Sequence, residues 1–332
     1  MTTTSLGVHG LHHITVIAGD AQENLDFYVG VLGMRLVKRS VNQDSPGTYH
    51  LFYADAEGHP GTDLTFFPWP ELPEGRPGTG LSSEVALAVP AGSLDWWRER
   101  LARHDVEAGG VETRFGERAL PFSDPHGLRL ALVETGDARE FTAWPASPVP
   151  AERQVLGLHG ARIRVRDLDR TAAFLQQGLG FAPSAEEEAG WHRFRVAGGG
   201  SGRVLDVQAA PGEAPGYWGR GSVHHLAWRV ADDDAELRVR QRAAQAGVRP
   251  TEVIDRFWFR SVYFKEPGGV LFELATDGPG FAVDEAAESL GESLVLPPWL
   301  EPERIDIEGV LPTLRMPAAA ATAAGPPAEA GE

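Results

Sequence analysis

A chain of 332 residues, 42% apolar and 23% charged, has the length for about two domains and the composition to bury a real core. Its net charge of −17 argues against a nucleic-acid backbone or an anionic membrane as partner, since both select a basic face. Cysteine is absent, which excludes disulfides, thiolate metal sites and cysteine nucleophiles together. Any transition-metal site must then draw on the eleven histidines, on carboxylates and on water.

The first residues, Met-Thr-Thr-Thr-Ser-Leu-Gly, carry no basic segment followed by an apolar one, and no apolar run approaches the ~20 residues of a membrane span. The expectation is a cytoplasmic protein, consistent with its lack of cysteine.

In chain order, Leu11-His12-His13-Ile14-Thr15 opens a strand over 11–17. Asp20 and Glu23 form a capping pair for a helix that carries Leu25, Phe27, Tyr28 and Leu32 and stops at Gly33. The same pattern returns at an offset of 147: Gly10-Leu11-His12 falls on Gly157-Leu158-His159, Phe27 on Phe174, and Leu32-Gly33-Met34 on Leu179-Gly180-Phe181. A second repeat, at an offset of 142, lays Phe122 to Gly127 on Phe264 to Gly269, and Val85 to Val89 falls on Leu226 to Val230 at 141. These shifts predict four βαβββ units at about 8–70, 80–138, 156–210 and 221–277. Each unit alone has an open sheet edge and half a core, so units must pair.

The predicted fold class is α+β, with four βαβββ modules paired into two cupped mixed sheets. Along the chain this reads as an N-terminal module pair at 1–140, a Pro-rich linker at 141–156 and a C-terminal module pair at 157–282. A C-terminal strap with one short helix follows at 283–316, then a disordered Ala/Gly/Pro tail at 317–332. Gly198-Gly199-Gly200-Ser201-Gly202 lies between strands and opens no helix, so it is read as a turn and not as a phosphate loop.

The repeat frames the search for a site. By alignment the first-strand slots hold His13, Glu84, Gly160 and His225, and the last-strand slots hold Thr65, Ala131, Asp206 and Glu273. Units one and two together offer a poor ligand set, and three with four offer a single nitrogen. Units one and four offer His13, His225 and Glu273, with Thr65 as a small non-ligand. Two imidazoles and one carboxylate on one face of a metal leave the opposite positions open. A lone histidine at a strand head is ordinarily just hydrogen-bonded. Two such pairs, and a glutamate inside Val270-Leu271-Phe272-Glu273-Leu274, change that balance, because a carboxylate among apolar neighbours is costly to bury unless paired or bound to a cation. Strand alternation puts Thr15 on the face of His13 and sends His12 to the rim. His9, His50, His59, His104, His126 and His192 are read as surface or structural.

Val223-His224-His225, with Arg256 and the run Tyr263-Phe264-Lys265-Glu266-Pro267-Gly268-Gly269-Val270-Leu271-Phe272-Glu273-Leu274, resembles the ring-cleaving dioxygenases of the vicinal oxygen chelate superfamily over residues 8–315, in the branch that opens hydroquinones. The resemblance implies Fe(II) held by His13, His225 and Glu273, with Mn(II) accepted by the same ligands. Catalytic roles go by the same resemblance to His12, Thr15, His224, Arg256 and Tyr263. The implied partners are a small aromatic diol and O₂, with no nucleic acid, no membrane and a homo-oligomer left open. The rival readings are a glyoxalase-type metal isomerase or lyase, and a non-catalytic small-molecule-binding protein of the same fold.

Overall fold

The computed structural model describes residues 7–317, except for the side chains of 185–188. Sixteen strands form two eight-stranded mixed sheets, curled into half-barrels. The first unit supplies β1 (Leu11–Ala18), β2 (Arg35–Asn42), β3 (Ser45–Ala54) and β4 (Asp63–Pro68). The second supplies β5 (Ser82–Pro90), β6 (Glu112–Arg114), β7 (Glu117–Ser123) and β8 (Arg129–Thr135). The third supplies β9 (Gly157–Val165), β10 (Ala182–Glu188), β11 (Trp191–Arg195) and β12 (Val204–Ala209). The fourth supplies β13 (Val223–Val230), β14 (Ile254–Asp255), β15 (Arg260–Lys265) and β16 (Leu271–Thr276).

The strand order is β14-β15-β16-β13-β1-β4-β3-β2 in one sheet and β10-β11-β12-β9-β5-β8-β7-β6 in the other. Unit one therefore pairs with unit four, and unit two with unit three. This corrects the division into module pairs at 1–140 and 157–282, because each half of the chain gives one unit to each sheet. Two pairs of first strands join the units, β1 against β13 and β5 against β9, both antiparallel. Pairing first strands this way leaves each unit's other three strands to extend the sheet outward.

Strand alternation separates the two faces. On β1, Ile14 and Val16 join Leu64 and Phe66 of β4 in the main core, beneath helix residues Leu25, Tyr28 and Val239. His13 and Thr15 take the opposite, concave face. The first helix starts at the cap read from the sequence. Asp20 accepts from the Gln22 and Glu23 amides at 2.8 and 2.9 Å, opening α1 (Ala21–Leu25), which runs on as a π-helical turn through Val31. Asp232 caps α2 (Asp233–Gln245) in the same way.

The linker is docked rather than loose. Ser147 Oγ donates to Gly33 O at 2.6 Å, and Val149 is buried. The strap carries a short helix, Arg304–Val310, and seats Leu296, Leu300 and Ile307 on Val41 of β2. Of the tail read as disordered, all but Pro317 lies outside the described residues.

One charged clamp ties the strap to the sheet. Lys38 of β2 is fully buried, and its Nζ donates to Phe281 O at 2.9 Å, to Asp284 Oδ1 at 2.7 Å and to Glu285 Oε2. Asp284 also accepts from Trp258 Nε1 at 3.0 Å. Removing one partner of a buried ion pair strands the other in low dielectric at a cost of ~3–5 kcal/mol. Lys38→Met is expected to lower unfolding stability by about 3 kcal/mol, read as a shift of the urea midpoint at unchanged slope.

Candidate metal centre

His13 on β1, His225 on β13 and Glu273 on β16 meet on the concave face of the first sheet, all buried. Their Nε2 atoms are 3.1 Å apart, and Glu273 Oε2 lies 3.3 Å from His13 Nε2 and 2.9 Å from His225 Nε2. Despite those distances, Oε2 is buried without a hydrogen bond of proper geometry. Three lone-pair donors aimed at one point repel unless a cation or proton lies among them. The donor set therefore fits a divalent metal.

Each of these imidazoles is oriented by the histidine before it. His12 Nδ1 is 2.9 Å from His13 Nδ1, and His224 Nδ1 is 2.8 Å from His225 Nδ1. A bond between two ring nitrogens needs one N–H. If His13 and His225 supply it from Nδ1, their Nε2 atoms are bare and face the centre. Consecutive residues of a regular strand could not both reach one face. The β1–β13 register slips between Leu11 and His13 and again between Thr15 and Val16, so His12 and His224 are the extra residues of two β-bulges. The reading of His12 at the rim is corrected accordingly: it is buried, packs 5.2 Å from the Phe259 ring and turns back onto His13.

The electrostatics follow from burial. Desolvation would raise the Glu273 carboxyl, but the facing imidazoles of His13 and His225 hold it well below the ordinary range. Burial and the neighbouring His13 keep His12 neutral, and burial together with His225 takes His224 down to about 3. Tyr263, directly opposite Glu273 across β15 and β16, is pushed up by burial and by that carboxylate, so it keeps its proton. Arg256 lies over the Tyr263 ring at 5.4 Å and is gripped by both oxygens of Asp44 at 3.2 and 2.9 Å.

Ser261 donates to Glu273 Oε1 at 2.5 Å, which leaves Oε2 as the oxygen facing the histidines. Outer-shell hydrogen bonds of this kind are worth ~10–100-fold in metal affinity. Ser261→Ala is expected to keep the fold and weaken metal binding about 10-fold, measured by competition with a chelator.

Thr15 Oγ1 bonds Thr65 Oγ1 at 2.7 Å, and Thr65 Oγ1 lies 2.9 Å from His50 Nε2. His50, read from sequence as surface or structural, lines the same cavity as His13, His225, Arg256 and Tyr263. Only its place on β3, two residues before Phe52 and so on the concave face, could have signalled this. The register pairs Thr15 with Thr65, Ala86 with Ala131, Arg162 with Asp206 and Ala227 with Glu273. Thr65, Ala131, Asp206 and Glu273 therefore occupy equivalent slots.

The second cup spends its slots differently. Asp206 takes a two-point grip from Arg193 at 2.7 and 3.1 Å, and Glu84 a two-point grip from Arg114, with 3.1 Å for Nη2 to Oε2. Its counterpart of His12, His159, pairs with Glu117 at 3.3 Å. The slots of His13 and His225 are held there by Gly160 and Glu84, and arginines pair the cup's carboxylates.

A model of the Glyoxalase/Bleomycin resistance protein/Dioxygenase superfamily matches residues 10–132 and 157–274. The chain is 43% identical over 304 residues to "Putative ring-cleaving dioxygenase MhqO" of Bacillus subtilis (strain 168), covering 91% of this chain and 96% of that one. It is 35% identical over 302 residues to the chlorohydroquinone/hydroquinone 1,2-dioxygenase of Sphingobium indicum, covering 89% and 93%. A crystal structure of a "putative dioxygenase" from Bacillus subtilis superposes with a TM-score of 0.87 at 42% identity, covering 94% and 99%. Glyoxalase I from Zea mays, at 15% identity, has a TM-score of 0.61 over 81% of this chain and 92% of its own, a likeness of fold alone.

Proposed function

For a chain that belongs to the glyoxalase/bleomycin resistance protein/dioxygenase superfamily, we propose ring cleavage of a hydroquinone by O₂ at an Fe(II) ion held by His13, His225 and Glu273. The observation that supports it most is a buried triad of two imidazoles and one carboxylate whose fourth slot is a threonine. Iron in that set supplies Lewis acidity toward a phenol oxygen and one-electron chemistry toward dioxygen.

The side chains around it divide the remaining work. Two neutral imidazoles and one carboxylate leave a divalent ion with a net charge of +1, which favours a phenolate monoanion. Tyr263 holds its proton at Oη beside the cavity, as the group able to give one to a developing oxygen anion. Arg256, fixed by Asp44, brings a permanent positive charge to the same wall. His12 and His224 hold the ligand rings in one tautomer, and Thr15 meets Thr65 at the fourth slot. Phe52, Phe67 and Phe259 give the cavity flat apolar walls suited to an aromatic ring.

Among the described residues no helix is long and apolar enough to cross a membrane. We place the enzyme in the cytoplasm with Fe(II) in preference to Mn(II). The test is anaerobic loading with Fe(II), then an oxygen-electrode screen of hydroquinones, catechols and a hemithioacetal. Oxygen uptake with hydroquinones supports the proposal. Turnover of the hemithioacetal without oxygen uptake would replace it with an isomerase, and stable binding without turnover would indicate a binding protein.

A further inference from the structure

The second cup has no imidazole triad, yet a cleft of about 670 Å³ opens at its mouth. Part of one wall matches positions in or beside the metal cavity of the first cup. The register makes Arg162 the counterpart of Thr15 and Asp206 that of Thr65, so Gln208, two residues on, matches Phe67. Trp191 pairs with Gln208 across β11 and β12, as His50 lies beside Phe67 in the first cup. One wall of the cleft is therefore built from counterparts of residues in or beside the metal cavity, while Arg76, Arg129 and Arg220 come from outside that set.

The cleft as a whole is lined by positive charge. Arg76, Arg129, Arg162, Arg164 and Arg220 line the cleft, in a chain whose net charge is −17. Its carboxylates do not balance them. Glu84 is gripped by Arg114, Asp124 accepts from Tyr28 Oη and the His126 and Leu128 amides, and Glu74 alone stays free at the rim. Arg164 meets Glu213 at 2.7 Å, and Arg76 stacks on Tyr217 at 4.2 Å. Arg129, exposed at the head of β8, and Arg220 have no carboxylate partner among the described residues. The Arg162 guanidinium sits 4.7 Å from the Trp191 ring centroid and is held by Asp206 and Glu84 at 3.5 and 3.9 Å, so the charge left without a partner is that of Arg129 and Arg220.

Two guanidiniums without carboxylate partners, Arg129 and Arg220, on one concave wall make an oxyanion receptor, because each fork matches two oxygens of a carboxylate or phosphate. We propose that this cleft binds a compact multivalent oxyanion, a dicarboxylate or a phosphate ester, in a site separate from the metal centre. No reaction is assigned to it, because its cup carries no open metal triad.

The experiment is calorimetric titration of the metal-loaded full-length protein with succinate and with inorganic phosphate at low ionic strength. Three variants run in parallel: the double variant Arg129→Ala/Arg220→Ala, the exposed charge reversal Arg129→Glu, and Glu273→Gln, which is expected not to hold the metal and serves as the control for an anion bound to the ion. Saturable binding of about one anion per chain is expected, weakened at least ~10-fold in both arginine variants and unchanged in Glu273→Gln. Arg129→Glu keeps the test valid if the double variant fails to fold. Stronger binding of succinate identifies a dicarboxylate site, and stronger binding of phosphate a phosphate site. Absence of saturable binding, equal affinity in Arg129→Glu, or loss in Glu273→Gln (which would place the anion on the metal) overturns the proposal.

Discussion

Glu273→Gln and His225→Ala are expected to lose bound metal and turnover together, whereas Tyr263→Phe keeps the metal and loses rate. The amide keeps the shape of the carboxylate but removes the charge that balances a divalent ion, and it brings an N–H₂ that can turn toward the centre. Losing one of three ligands costs more than losing an outer-shell partner, so metal affinity should fall by more than ~100-fold. Metal content after dialysis, measured by elemental analysis, should drop from about one per chain to a trace. Tyr263 touches no ligand nitrogen through a hydrogen bond. It faces the cavity beside Ser261 and Arg256, so its loss should leave metal content unchanged and lower the rate by ~10²–10⁴-fold, the range of a positioned proton donor. Unchanged metal in both ligand variants would remove the assignment. Metal loss in Tyr263→Phe would make that residue structural.

How much of this was legible in the sequence depended on periodicity. The offsets near 142 and 147 reproduce the four units, since residues facing a shared core repeat with the fold that buries them. Pairing unit one with unit four followed from ligand chemistry, because only that pairing joins two imidazoles to a carboxylate, and the sheet order agrees with it. Reading each half of the chain as a module pair failed for the converse reason. Adjacency along the chain carries no information about which first strands meet antiparallel.

The bulges at His12 and His224 were out of reach, since an alternation rule assumes unbroken register and a bulge has no signature of its own in a pair of histidines. Lys38 reads in sequence as an ordinary surface cation. Its burial depends on Asp284 and Glu285, nearly 250 residues away, closing over it. His50 reads in sequence as an ordinary strand histidine, because a histidine within a strand says nothing of what faces it. The ion pairs of the second cup were equally silent, since Arg114, Arg162 and Arg193 differ in sequence from solvated arginines only by the strands they sit on.

Thr65→Glu tests whether an empty ligand slot sets the chemistry. The β1–β4 register sets Thr65 beside Thr15 as the β13–β16 register sets Glu273 beside Ala227, so a glutamate at 65 would reach the metal from the side opposite Glu273. Its carboxylate would displace the hydrogen bonds that Thr65 makes with Thr15 and His50 and would fill a coordination position. The ion would gain a fourth protein ligand and a second negative charge, which cancels the net positive charge that attracts a phenolate. Oxygen uptake with hydroquinone should fall by at least ~100-fold while metal is retained at least as tightly as before. Thr65→Val, which removes the hydroxyl without supplying a ligand, is expected to keep metal and most of the activity. If Thr65→Glu binds metal and still consumes oxygen at the parent rate, the open position lies elsewhere. If Thr65→Val is as inactive as Thr65→Glu, the bonds to Thr15 and His50, and not the vacant slot, carry the effect.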